Sequence, residues 1–458
     1  MNHELLGSAF STAEMEREID SRAWVQAMLD FEAALARAQA RVGVIPAQAA
    51  DAIAAACRVE HTDIAAIAAD TIKGGNPAIP LVKALTARVA PQGAGYVHWG
   101  ATSQDAMDTG LMLVFRRALP LLLADLQAIE TDCAGLAETH RGTVLAGRTL
   151  LQQALPVTFG LKAAGWCSQI RRARLELERV GEEALAVQCG GAVGTLASLG
   201  DRGLDVSREL ARELDLAEPD MPWHTARDRV VKAVSALVLA AGAAGKIATD
   251  VLMLMQTEVG EVREPAGPGR GGSSTMPHKR NPVGCTLTLA AVRRLHGMIP
   301  TIYASMLQEH ERAAGAWQAE WETVSDSLRL TAAALHHVRA IVDGLEVDAA
   351  RMRGNLDLTL GLIMAEAVMM ELAPELGRGE AHARVKAACQ RAVAENRTLQ
   401  AVLGDESELV KQLGQSRFDE LFMPERYLGV TDGFIDRVLA RVRADGSAEH
   451  HGNRSEAP

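Results

Sequence analysis

Five segments of this chain keep an apolar period of three and four residues far longer than an ordinary globular helix does. They run from Asp105 to His140, Leu155 to Leu185, Thr225 to Glu261, Pro282 to about Glu311, and Trp317 to Val342. Helices of that length leave much of their surface outside any one compact core, so they predict a bundle. Stretches such as Val234-Ser235-Ala236-Leu237-Val238-Leu239-Ala240-Ala241 are apolar on more than one face, which predicts burial against other subunits. Aromatic residues make up only 3% of the chain. The core must therefore be built from Ala, Leu, Val and Met, a composition that favours helix over sheet, and the expected fold class is all-α.

Shorter elements flank these segments. From Ser21 to Arg41 the residues Trp24, Met28, Leu29, Phe31, Ala34, Leu35 and Ala38 mark one amphipathic helix. Pro91-Gln92-Gly93-Ala94-Gly95 interrupts the pattern, and a domain boundary is expected a little beyond it. From Asp348 onward helices shorten, with Met364 to Leu376 and Gly379 to Asn396 the clearest. The stretch from Asp445 to Pro458 has no apolar period and is expected to be disordered.

A formal net charge of −11 argues against a nucleic-acid or anionic-membrane partner, but not against an anionic substrate held by a few clustered cations. The cysteines at 57, 133, 167, 189, 285 and 389 show no metal-ligand spacing, so neither a disulfide framework nor a metal site is expected. The first residues lack a basic start followed by an apolar run, and the apolar run from Val234 to Gly245 is too short to span a bilayer. A cytoplasmic protein is the expectation.

Three polar segments carry chemistry. The first, Gly271 to Pro282, contains two glycines and two prolines, which forbid a regular helix, around Ser273, Ser274, Met276, His278, Lys279 and Asn281. Hydroxyls, backbone N–H groups and a lysine make it a loop that holds an anion, and Pro265 to Arg270 extend its non-helical character. Ser273 stands out: a serine is a weak base unless its alkoxide is held by N–H groups and a nearby cation, which Lys279 and His278 offer. In the second, His98 to Asp105, Thr102 and Ser103 stand at a helix start, where free N–H groups favour an anion; a simple N-cap is the alternative. The third, Gly147 to Thr158, reads as a polar loop leading into a long helix. Arg148 could pair with a substrate carboxylate, with Gln152 orienting it, or it could serve a structural ion pair. Downstream, Arg312 follows a charged cluster and is either a carboxylate clamp or a solvated helix end.

Together these segments resemble the fumarase/aspartase superfamily. Gly272 to Asn281 match its Gly-Ser-Ser-x-Met-Pro-x-Lys-x-Asn signature, and the Thr102-Ser103 turn and Gly147-Arg148-Thr149 match two further motifs in the same order. His98 to Thr109 and Met276 to Pro282 look like the branch that holds adenylosuccinate lyase and the muconate cycloisomerases. Asn76 to Lys83, Leu151 to Lys162 and Trp317 to Thr323 are similar to the bacterial cycloisomerases.

The resemblance implies three helical domains, 1–103, 104–345 and 346–442, before a tail at 443–458. The central domain would be a five-helix bundle contributing to the twenty-helix core of a homotetramer, with active sites shared between subunits. It also implies a small tricarboxylate substrate and no cofactor. Ser273 and Lys279 would be catalytic, and His98, Thr102, Ser103, Arg148, Gln152, Ser274, Met276, Asn281 and Arg312 would bind substrate.

Lyases of the superfamily usually carry a histidine after Gly-Arg-Thr and a glutamate seven residues after the signature lysine. This chain has Leu150 and Thr286 there, so that acid–base pair is missing. A cycloisomerase has less need of it, because the attacking group is the substrate's own ionised carboxylate. Ala226 stands where this branch often has glutamine. The expected reaction is closure of a 3-carboxylated cis,cis-muconate to its lactone, in the protocatechuate branch of aromatic degradation. A fumarate-releasing C–N lyase and a non-catalytic structural member are the alternatives.

Overall fold

The computed structural model describes residues 3–265, 267, 271–272, 276 and 278–452. The elements that position the site are α1 (Ser21–Val42), α2 (Ser103–Thr139), β1 (Val144–Thr149), β2 (Gln152–Thr158), α3 (Phe159–Glu183), α4 (Asp228–Leu254), α5 (Val283–Ala304), α6 (Ala316–Asp343), α7 (Ala365–Leu376), α8 (Arg378–Glu395) and α9 (Thr431–Gly452). The all-α expectation holds, with two small exceptions among the described residues. These are the antiparallel β1–β2 hairpin and a two-residue pairing of Val262–Arg263 with Glu346–Val347.

Internal contacts divide the chain into two compact units. The first is drawn from Met1–Gln127, Arg172–Gly245 and Leu287–His337, and the second from Ala128–Arg171, Lys246–Thr286 and Val338–Pro458.

In the first unit, α1 shows how the periodicity works. Asp20 caps it by accepting from Ala23 N at 2.8 Å, and Gly43, at φ 82, ends it in the left-handed region. Its stripe of Val25, Met28, Leu29, Phe31, Leu35 and Ala38 is buried, and each large member contributes roughly 1.5–3 kcal/mol by leaving water. Glu32 and Gln39 lie in that buried set two turns apart. In the second unit, α7 and α8 close over Leu399, Val402, Leu403, Phe418 and Leu421.

Several boundaries differ from the sequence expectation. The segment Gly147–Thr158 is a β-hairpin rather than a loop, and the helix expected from Leu155 begins at Phe159, beyond the strand containing Pro156. The helix expected from Thr225 to Glu261 is shorter at both ends, Asp228–Leu254. The one expected to reach Glu311 stops at Ala304, and His310 beyond it takes a left-handed φ of 46. At the C-terminus α9 continues to Gly452, past the expected start of disorder at 443, and Asp445 is held by a two-point pair with Arg171 at 2.7 and 2.9 Å. Residues 453–458 lie outside the described residues.

By length and composition α4 could cross a membrane, but 67% of its most apolar window is buried within this chain, as in the core helix of a soluble protein.

Candidate active site

The start of α2 is closed by the chain's own anion. Thr102 is the residue before the helix and Asp105 the third within it. The Asp105 carboxylate reaches back to the Thr102 N–H at 3.0 Å, one half of a capping box. The same carboxylate accepts the N–H groups of Gly190 and Gly191 at 3.0 and 2.9 Å, and its Oδ1 stands 2.7 Å from Nε2 of buried His224. Gly191 is required here: its φ is 67, and a Cβ would fall 2.9 Å from the Gly100 carbonyl oxygen. The helix end expected to attract a substrate anion is thus already served by Asp105.

Beneath it, Asp108 and Glu320 share Arg227. The guanidinium donates to Asp108 at 2.8 and 3.0 Å and to Glu320 at 2.6 and 3.1 Å, with all three side chains at most 3% exposed. Trp317, Gln104 and Gln188 also donate to Asp108. Burial works against the Arg227 charge, but Asp108 and Glu320 outweigh it and hold the guanidinium above its ordinary value. Burial lifts the Glu320 carboxyl above the usual range against the pull of Arg227. The ion pair governs, because the guanidinium does not give up its proton.

Arg312 differs from every paired arginine described above. Its Nη1 donates to Thr102 Oγ1 at 3.2 Å, its Nε to Gln104 Oε1 at 3.3 Å and its Nη2 to the Gly191 carbonyl at 3.4 Å. These acceptors are neutral, so a half-buried cation is held in place without a carboxylate partner among the described residues. Such a group is ready for an anionic ligand. The Thr102 hydroxyl thus serves Arg312, and the arginine is placed in a loop rather than at a solvated helix end. His98, at φ 58, belongs to the segment leading to Thr102 and pairs with Glu32. The structure therefore joins Arg312 to Thr102, and places His98 and Ser103 in the same segment as Thr102, all in the first unit.

Arg148, Gln152, Met276, Lys279 and Asn281 belong to the second unit. The hairpin register slips between Ala146 and Arg148, at Gly147, where a Cβ would lie 2.8 Å from the Leu155 carbonyl oxygen. Its two-residue turn is Leu150-Leu151, at φ 50 and 65, and both side chains are exposed. Arg148 sends both terminal nitrogens to the fully buried Glu261, at 2.7 and 2.9 Å, and Asn355 donates to Glu261 at 2.7 Å. Arg148 thus makes the ion pair of the structural alternative and braces the strand that ends in Thr149. Replacing Glu261 with alanine is expected to cost about 3 kcal/mol, read from a denaturation midpoint, because Arg148 would be left without its counter-charge. Gln152 is exposed beside the turn.

Lys279 is exposed, its N–H bonded to the Met276 carbonyl at 3.1 Å, and makes no ion pair among the described residues. The Asn281 N–H donates to the Gly271 carbonyl at 2.8 Å and thereby closes the base of this loop. Glu264 accepts from Gly284 N and Cys285 N at 3.0 and 2.8 Å, closing the start of α5 as Asp105 closes α2. The Thr286 hydroxyl donates to the Pro282 carbonyl at 2.8 Å. Ser273 and Ser274 lie outside the described residues.

Sequence reasoning missed Asp105, Asp108, His224, Glu320 and Glu32. Asp105 and Asp108 fall inside the His98 to Thr109 segment and Glu320 inside Trp317 to Thr323, but the resemblance assigned them no role, and Arg227-Asp228 stood only as neighbours of the unusual Ala226.

Residues 9–297, well over half of the chain, match the family described as Lyase. The chain belongs to this lyase family, within the fumarase/aspartase superfamily. Residues 361–438 match a second family, the adenylosuccinate lyase C-terminus. The chain is 51% identical to a 3-carboxy-cis,cis-muconate cycloisomerase of Bradyrhizobium diazoefficiens over 96% of this chain and 98% of that protein. It is 44% identical to a nitrosuccinate lyase of Streptomyces davaonensis over 95% of this chain and 94% of that one. Its fold is similar to the crystal structure of the 3-carboxy-cis,cis-muconate lactonizing enzyme from Pseudomonas putida, with a TM-score of 0.91, 47% identity and coverage of 96% and 99% of the two chains. Membership of the lyase family accounts for the long central helices and for the three motifs occurring in one chain.

Proposed function

We propose that this lyase-family chain is an isomerase that closes 3-carboxy-cis,cis-muconate to 4-carboxymuconolactone. The observation that carries the proposal is the full-length likeness, at 51% identity, to a cycloisomerase of that substrate. Local chemistry agrees. Leu150 has no titratable group, and the Thr286 hydroxyl is committed to the Pro282 carbonyl, so neither position supplies the lyase acid–base pair.

In the proposed reaction a substrate carboxylate oxygen bonds to one alkene carbon. The displaced electron pair moves to the neighbouring carbon, which lies next to a second carboxylate, and that carbon takes up a proton. Ser273 handles the proton, and Lys279 stabilises the charge that builds up on the adjacent carboxylate. Thr102, Ser103, His98 and Arg312 of one protomer hold a substrate carboxylate, while Asn281, Ser274, Met276 and Gln152 of other protomers complete the site. Arg148 acts on it by bracing the hairpin. The site is assembled in a cytoplasmic homotetramer whose protomers divide at 1–103, 104–345 and 346–442.

Incubating the protein with the muconate should remove the diene absorbance. Unchanged absorbance at every pH tried would end the proposal. Release of fumarate from a succinyl adduct would favour the C–N lyase alternative, for which the likeness to nitrosuccinate lyase speaks.

A further inference from the structure

Helix α1 sends two buried polar side chains, two turns apart, toward the segment that precedes Thr102. Gln39 donates from Nε2 to the Trp99 carbonyl at 2.6 Å, and Glu32 Oε1 stands 2.5 Å from Nδ1 of His98. Packing alone does not explain Glu32. Its side chain is 1% exposed and its other oxygen, Oε2, has no partner. An unmatched buried oxygen of this kind is destabilising, a cost that an apolar residue would avoid. His98 in turn sits at φ 58, in the left-handed region that strains a residue with a Cβ. Burial and strain are both tolerated to place one imidazole.

With Nδ1 engaged by Glu32, Nε2 is the ring nitrogen left for a ligand. We propose that Glu32 is a positioning residue, whose carboxylate holds Nδ1 of His98 and so presents Nε2, beside Arg312, to a substrate carboxylate. This rests on the tricarboxylate substrate proposed above.

The charged groups facing His98 are Glu32 from α1 and Asp105 from α2. Those facing Glu32 are His98 and Cys57, whose thiol burial pushes up to about 12, with Glu32 adding to the rise, so it brings no competing charge. Burial opposes the imidazolium, but the two carboxylates outweigh it and hold His98 above the ordinary histidine value. The charge is therefore complete below the ordinary value, persists above it, and is lost only as pH rises through the raised one. Without the Glu32 charge, that loss moves to lower pH.

Tricarballylate, an unreactive tricarboxylate, tests this by calorimetry. Glu32→Gln should bind it about tenfold more weakly than the wild type near pH 8, and the gap should narrow as pH falls and the proton returns to the buried imidazole. If Glu32→Gln does not fold, His98→Gln takes its place. Its affinity should be low and flat over the range in which that of the wild type falls. Parallel pH profiles for wild type and Glu32→Gln, or a wild-type fall retained in His98→Gln, would overturn the positioning role. Failure of the wild type to bind tricarballylate at any pH would instead overturn the tricarboxylate reading, and the positioning role with it.

Discussion

Replacing Arg227 with methionine is expected to destabilise the protein by about 3–5 kcal/mol, because it leaves Asp108 and Glu320 buried with no counter-charge. Trp317, Gln104 and Gln188 would still donate to Asp108, but neutral donors do not cancel two facing carboxylates. Lysine should rescue little, since a point charge on a flexible stem does not fork between two acids. Adding Glu320→Gln to Arg227→Met should recover part of the loss, because one of the two stranded charges is then gone. Urea midpoints of the single and double variants measure both effects. A single-variant loss below about 1 kcal/mol would mean that the cluster is not the foundation its burial indicates.

Ser273→Ala is expected to reduce turnover of the muconate by about 10²–10⁴-fold, the usual contribution of a positioned proton donor or acceptor. Its affinity for tricarballylate should stay within about twofold of wild type, because the role proposed for the hydroxyl is in the transition state rather than in binding. Parallel measurements of kcat and of binding separate the two. A raised KM with kcat unchanged would make Ser273 a binding group and leave the proton to another residue.

The long helices were legible because their apolar period persists through many turns. α6 differs from its sequence expectation by a single residue at each end. The hairpin was not legible. Gly147-Arg148-Thr149 and Gln152-Gln153 look like loop chemistry, and the Leu150-Leu151 turn lacks the Asn-Gly or Asp-Gly pair that normally marks such a turn.

The helix start at Thr102 and Ser103 was legible because one motif carries both residues. The site was hidden where partners are distant in sequence. Arg227 lies 119 residues from Asp108 and 93 from Glu320, and no local pattern joins them. Glu32 was hidden for the opposite reason: inside a strongly periodic helix, one acidic residue reads as part of the solvent face.

The closed helix starts bear on how such a scaffold diversifies. Asp105 fills the start of α2 and Glu264 the start of α5. The backbone dipoles, which mutation cannot readily alter, are thereby committed to holding the fold together. In the proposed reaction, recognition of the ligand is left to side chains such as Arg312, His98 and Lys279, each replaceable by a single codon change. On such a frame substrate range can drift while the architecture stays fixed, consistent with cycloisomerase and nitrosuccinate lyase names among relatives 51% and 44% identical to one chain.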